Sequence, residues 1–364
     1  MSELGFGFLR LPMEGNGCDL DAVCAMTDLF LEKGGRYFDT CYTYLDGMSE
    51  QAIRECLTRR HSRGSFILAD KLPGYLCSSK ADSQKFFDES RRRCGVDSFD
   101  VYMLHWLNGK NLASAEKYDQ FGFLEDLKAR GLARRTGFSF HDSASLLDEI
   151  LTKHPEIDVV QIQLNYLDWD SAGIESGKCY NVCVRHGKPV IVMEPVKGGT
   201  LASLPEAAAA ELAGARPEWS PTRWALNFAL SQPRVEVVLS GMGSVSQVEE
   251  NMLPARPLTG NDMKALHKAA GVISLKTAVA CTGCGYCTSY CPRDIAIPRY
   301  FSMYNELQRC PQDAWKIKPA YESLARECGR ASECIECGSC EAHCTQRLEI
   351  IHFMKLVAAA MEDG

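Results

Sequence analysis

Residues 101–105 read Val-Tyr-Met-Leu-His, four apolar side chains in a row closed by a histidine. A run this continuous suits a strand covered on both faces. Residues 189–194, PVIVME, have the same character. Working outward, further short runs fall at 5–10, 37–39, 66–71, 135–139, 159–163 and 235–240, which makes eight. Amphipathic stretches lie between them, at 20–33, 48–60, 82–93, 118–130, 143–153, 171–186 and 221–231. In the first, Val23, Met26, Leu29 and Phe30 recur at helical spacing before Gly34 and Gly35 end it. Strand and helix alternating in this way over about 250 residues predict an α/β fold, a (β/α)8 TIM barrel spanning residues 1–260. A doubly wound open sheet is the alternative, but it usually carries a Gly-rich turn after its first strand, and none is found here.

In such a barrel the chemistry gathers at the carboxyl ends of the strands. Asp39 closes the second run, Lys71 the third and His105 the fourth, and Tyr44 follows in the loop after Asp39. A phenol has a pKa near ~10, too high for easy proton exchange at neutral pH. A nearby ammonium stabilises the phenolate, a carboxylate holds the ammonium, and a histidine can hydrogen-bond a substrate oxygen. Singly, each of these residues is as well explained by a surface ion pair or by core packing. Four of them at the ends of consecutive strands form a proton-delivery set.

A second signal follows the barrel. Residues 281–292 read CTGCGYCTSYCP, with Cys281, Cys284, Cys287 and Cys291 followed by Pro292. The spacing returns in CIECGSCEAHC as Cys334, Cys337, Cys340 and Cys344, with Thr345 where the proline would stand. This is the C-x2-C-x2-C-x3-C-P run of bacterial ferredoxins, in which the fourth cysteine of each run serves the other cluster. Two [4Fe-4S] clusters are therefore expected. One is held by Cys281, Cys284, Cys287 and Cys344, the other by Cys334, Cys337, Cys340 and Cys291. Zinc is the competing metal, but it favours paired C-x2-C knuckles. The expectation for residues 261–364 is a small C-terminal ferredoxin-like iron–sulfur domain. It would end in a helix over 348–361 that packs back on the protein. A connecting helix over 262–274 and another around 320–328 complete it.

The barrel half resembles the aldo-keto reductases. YFDTCYTYLDGMSE carries that family's Asp-Thr…Tyr…Ser-Glu pattern, LADKLP its lysine and VYMLHW its histidine. The similarity continues through GLARRTGFSFHDS, VVQIQLNYLD, VMEPVKGG and LSGMGSVSQVEENM. The cysteine runs match a subgroup with a ferredoxin-like extension. The resemblance implies that Tyr44 is the general acid/base, that Lys71 and Asp39 tune it, and that His105 orients the carbonyl. It also implies a nicotinamide cofactor, NADP(H) or NAD(H), contacted by Ser139, Gln161 and Asn251. Ser240, Gly241, Gly243 and Ser244 form a small-residue turn that suits a phosphate, although it also reads as an ordinary strand-to-helix connection. Three positions depart from the family pattern. Phe140 replaces an asparagine after Ser139, Met193 a ring-stacking tyrosine, and Gln247 the arginine that grips a 2′-phosphate.

A net charge of −7 and the lack of a basic block argue against nucleic acid or an anionic membrane. No apolar run is long enough to span a bilayer, and the first residues lack a signal-peptide pattern. Of eighteen cysteines, ten lie outside the two runs, and these read as thiols of a reducing, cytoplasmic setting. The barrel chemistry moves two electrons together and cubane clusters move one, so something that splits the pair, such as a flavin or a radical-stabilising substrate, would be needed to join them directly. The sequence carries no flavin signature. Three readings stay open. The clusters exchange electrons with a redox partner protein while the barrel handles a small carbonyl or alcohol; the clusters are structural; or the barrel has lost hydride transfer. Trp106, Tyr75, Trp169 and His141 are candidate substrate-pocket residues.

Overall fold

The computed structural model describes residues 3–309 and 311–362. Cys310, read above as one of the thiols outside the two runs, lies outside them. Eight parallel strands close on themselves: β1 (Glu3–Gly7), β2 (Tyr37–Asp39), β3 (Ile67–Leu72), β4 (Phe99–Leu107), β5 (Ala133–Phe140), β6 (Val159–Gln163), β7 (Val190–Met193) and β8 (Val235–Ser240). Closure comes from β1, which pairs in parallel with both β8 and β2. That strand sits earlier than its expected 5–10, because Phe8 N–H makes a last bond to Asp39 O and the chain then turns into a short hairpin, Met13–Glu14 with Gly17–Cys18.

Side-chain parity decides which residues reach the barrel interior. Its core is Tyr37, Ala69, Val101, Met103, Val159, Ile191, Val237 and Leu239. Successive side chains along a strand alternate between faces. Asp39, Lys71, His105, Gln161 and Met193 therefore share the inner face with these core residues. The register, Asp39 opposite Ala69 and Lys71 opposite Met103, keeps them at one end. Gly137 is needed on β5, because a Cβ there would lie 2.2 Å from Val159 O.

Most helices fall where expected, with differences. The stretch predicted as a helix over 118–130 is Gln120–Ala129, and a helix that was not expected, Gly109–Lys117, precedes it, the two separated where Asp119 takes a left-handed φ of 52°. Met48–Ile53 runs on into a π turn, Arg54–Thr58. The helices Glu206–Ala215 and Ile297–Arg309 were not anticipated. The helix expected around 320–328 is Ala314–Leu324, with Pro319 inside it.

The chain forms two compact units. The first holds the barrel strands and comprises residues up to Ser171, Glu175–Pro195 and Thr222–Thr259. The second comprises Ala172–Ile174, Val196–Pro221 and everything from Gly260 on. Within the second, helix Glu206–Ala215 is joined to helix Gly260–Lys276 by an ion pair between Arg216 and the buried Asp262, Nε to Oδ1 at 2.9 Å. Its core is built from Ile295, Tyr300, Phe301, Ile317, Tyr321, Leu324, Ile350, Met354 and Val357. The last helix, Ile350–Met361, buries Ile350, Met354, Val357 and Met361 along one stripe.

Candidate functional site

The inner end of β3 presents Lys71, fully buried. Its Nζ donates to Asp39 Oδ1 at 2.5 Å and to Thr40 O at 2.8 Å. Burial pushes the Asp39 carboxyl up, and the Lys71 ammonium pulls it back down in part. The same Nζ lies 5.0 Å from the centre of the Tyr44 ring. Tyr44 meets His105 edge to face, with ring centres 5.7 Å apart. Burial first, and the Lys71 charge second, hold His105 well below the usual imidazole range, so it is neutral. The four residues are thus brought together by direct contacts.

The motif around Tyr44 explains how the phenol is held. Tyr44 N–H bonds Cys41 O and opens a tight turn, Tyr44–Gly47. Leu45, Asp46 and Gly47 all have positive φ, a strained run for residues with side chains. The turn is braced from below. Thr40 Oγ1 and Ser49 Oγ are 2.7 Å apart, and Ser49 Oγ donates to Phe8 O. Buried Glu50 pairs with Arg93 at 2.9 Å. The threonine, serine and glutamate of the motif therefore hold the loop.

One neighbour of His105 escaped the sequence reading. Cys41 Sγ lies 3.1 Å from His105 Nδ1. Burial pushes this thiol up to about 12, so it stays protonated. Imidazole nitrogen is a far better acceptor than sulfur. An S–H that donates to Nδ1, rather than to Lys71 O at 3.9 Å, would leave the proton of the ring on Nε2. The only local signal was a sulfur two residues past Asp39, where nothing indicated which way it pointed.

The expected cofactor residues form two groups. Ser139 and Gln161 are register partners on β5 and β6. Ser139 Oγ accepts from Trp106 N–H at 2.7 Å, and Trp106 itself has a φ of 59°. Gln161 Oε1 is buried with no protein partner, and so is Asn251 Oδ1. A buried carbonyl oxygen left unpaired is costly, and amide N–H groups of a nicotinamide dinucleotide would satisfy such oxygens. The second group is the turn after β8. Asn251 Nδ2 donates to Ser240 Oγ at 3.0 Å, and Ser244 caps helix Val245–Asn251. Gln247 folds back to accept from Gly243 N–H at 2.7 Å, occupying an amide of the turn. The stem of Arg10 runs against this turn. A Cβ on Gly241 would lie 3.3 Å from Arg10 Cβ and Cδ. That residue was missed because it comes from the loop after β1 and not from the helix after β8. Of the pocket candidates, Tyr75 and Trp106 gather near His105, with ring centres 6.0 Å (Tyr75 to His105) and 5.3 Å (Tyr75 to Trp106) apart. Burial brings His141 down to about 4. Trp169 packs on Tyr180 and Phe228.

In the second unit the cysteines line two cavities. One is lined by Cys281, Cys284, Cys287 and Cys344 together with apolar Ile297, Phe301, Leu348 and Ile350. The other is lined by Cys291, Cys334, Cys337 and Cys340 with Ile295, Ile351 and Met354. Each takes three cysteines from one run and its fourth from the other. Four sulfur donors around a small apolar hollow are the donor set of a [4Fe-4S] cluster.

The family model described as "Aldo/keto reductase family" matches residues 3–270, and that for a "4Fe-4S dicluster domain" matches 280–348. The oxidoreductase YqkF of Bacillus subtilis, itself uncharacterized, is 26% identical over 299 residues, covering 73% of this chain and 92% of its own. L-galactose dehydrogenase of Arabidopsis thaliana is 26% identical over 295 residues, covering 75% and 91%. Among solved structures, the holo form of aldo-keto reductase AKR11C1 from Bacillus halodurans superposes with a TM-score of 0.59 at 27% identity, covering 73% and 91%. An aldo-keto reductase from Klebsiella pneumoniae, solved with NADPH, shares the fold with a TM-score of 0.60 at 21% identity, covering 73% and 89%. The chain belongs to the aldo/keto reductase family and is an oxidoreductase that carries a 4Fe-4S dicluster domain after its barrel.

Proposed function

We propose that the barrel reduces a small carbonyl compound, or oxidises the matching alcohol, with a nicotinamide dinucleotide. The observation that carries this reading is the buried Lys71, 2.5 Å from Asp39 and under the Tyr44 ring. When bound, the nicotinamide supplies or accepts the hydride. The proton is the work of this chain. Tyr44 gives its hydroxyl proton to the carbonyl oxygen, and the Lys71 ammonium stabilises the phenolate left behind. Asp39 and Thr40 O hold that ammonium in place. His105, kept neutral, donates from Nε2–H to the same carbonyl oxygen and orients it. Ser139, Gln161 and Asn251 would hold the cofactor's N–H donors, its carboxamide and its adenine amino group, and the turn at Ser240–Ser244 with Arg10 would hold its phosphates. An arginine beside that turn favours NADP(H).

The eight cysteines of the two runs would hold two [4Fe-4S] clusters, which supply single electrons when assembled. Exchange with a redox partner protein in a reducing, cytoplasmic setting follows from that chemistry. A structural role has an observation of its own, since Cys287 and Cys340 belong to the core of their unit. Anaerobic mixing with NADPH or NADH separates these readings. Bleaching of the visible cluster absorption supports exchange. Carbonyl-dependent nicotinamide oxidation with unchanged absorption supports the structural role. The Tyr44→Phe variant should lose carbonyl turnover about 10²–10⁴-fold while keeping its iron. Full turnover in that variant would remove Tyr44 from its assigned role.

A further inference from the structure

The VMEPVKGG stretch contains a second buried lysine that the barrel chemistry leaves unused. Lys197 is 2% exposed and belongs to the same compact unit as the cysteine runs. Its Nζ donates to Gln346 Oε1 at 3.2 Å. Gln346 is itself buried and lines the cavity of Cys281, Cys284, Cys287 and Cys344. Its other end, Nε2, lies 3.5 Å from Thr345 Oγ1, which is 3.7 Å from Cys284 Sγ. The backbone here is fitted closely to the first run. Lys197 and Gly198 both have positive φ, and a Cβ on Gly198 would lie 2.1 Å from Thr282 O. No side chain fits at residue 198, so the lysine is delivered to one place.

The other cavity has a different surrounding. The cation that lines it is Arg293, which is exposed, and its Cys337 is exposed too. Water weakens the field of an exposed charge many times more than that of a buried one. Cluster potentials respond to net charge, hydrogen bonds to sulfur and solvent exposure. A buried ammonium one amide away from four thiolates stabilises the more negative, reduced state.

We propose that Lys197 is a tuning residue that raises the reduction potential of the cluster held by Cys281, Cys284, Cys287 and Cys344 above that of the other, with Gln346 as the amide between charge and cavity. The inference rests on the reading that both cavities hold clusters. It makes the first site the one where an electron added to the pair comes to rest.

The test is an anaerobic dithionite titration of the full-length chain, followed by electron paramagnetic resonance, with iron content measured on the same sample. Wild type should show two midpoints. Lys197→Gln keeps a hydrogen-bonding group and removes the charge. Its upper midpoint should fall by about 59 mV, the equivalent of tenfold in the reduced-to-oxidised ratio for one electron. The lower midpoint should stay. Lys197→Arg should restore the upper value. Gln346→Glu neutralises the charge without touching the lysine and should lower the same midpoint. If Lys197→Gln fails to take up iron, Gln346→Glu decides. Unchanged midpoints in either iron-replete variant overturn the proposal, as does an equal fall in both midpoints. A wild-type protein without iron overturns the cluster reading and this inference together.

Discussion

Lys71 and Lys197 are both buried, yet the two regions use the ammonium differently. In the barrel it is locked to a carboxylate at 2.5 Å, so its charge is largely cancelled except toward the Tyr44 ring above it. In the cysteine unit Lys197 Nζ donates to a neutral amide at 3.2 Å, and that amide lines one of the cysteine cavities. On the readings proposed above, one lysine would serve a proton and the other an electron. The contrast suggests a general reading: what a buried cation touches tells which particle it is there to control.

The largest effect that would break this comparison comes from Lys71→Met. It leaves Asp39 as a buried carboxylate without its cation, which should cost about 3–5 kcal/mol of stability. The urea midpoint reads that loss, and carbonyl turnover should fall about 10²–10⁴-fold. Adding Asp39→Asn should recover stability and not turnover. If the single variant is as stable as wild type, the pair is not the anchor described here.

Acid sharpens the same comparison. His105 and His141 are held neutral by burial, His141 down to about 4. Once unfolded, both take up a proton near pH ~6.5. The unfolded chain then binds more protons than the native one, so the stability contribution is complete above about pH 6.5 and declines as pH falls toward 4. Urea midpoints should decline over that window, and His141→Gln should flatten part of the slope. A flat profile would contradict the neutral imidazoles.

Two smaller effects concern residues that the chain order concealed. Arg10→Ala should raise KM for NADPH about tenfold, the worth of one charge-assisted hydrogen bond, with little change for NADH. Equal KM values before and after would take Arg10 away from the phosphate turn. Cys41→Ala should lower turnover only a few-fold, since a neutral hydrogen bond contributes about 1 kcal/mol. Its signature is in ¹⁵N spectra, where the His105 signal should move from one tautomer to a mixture. An unchanged tautomer would mean that the thiol does not set it.

How much of this was legible beforehand follows from how far each signal reaches along the chain. The cysteine sets depend on spacings of two and three residues, which survive any error about the fold. Asp39, Lys71 and His105 were legible because strand ends and alternation place them at one mouth once the strands are found. Arg10 and Gly241 meet across the closure of β1 on β8, which no local pattern encodes. Cys41 was hidden in a loop whose turn puts three residues at positive φ. Helix Gly109–Lys117 escaped because it buries only Ala115 and so shows no apolar stripe. Helix Ala314–Leu324 was displaced in the reading by Pro319, which it accommodates in its interior.

The division of the chain has a practical consequence. Residues 196–221 lie between β7 and β8 in sequence yet belong to the compact unit of the cysteine runs. The polypeptide thus visits that unit in mid-barrel before returning to finish the cylinder. A stop codon placed near residue 260 would remove the rest of that unit. It would strand the 206–215 helix and orphan Arg216 from Asp262. An engineer wishing to transplant the cysteine-bearing unit would have to move separated pieces of message, not one.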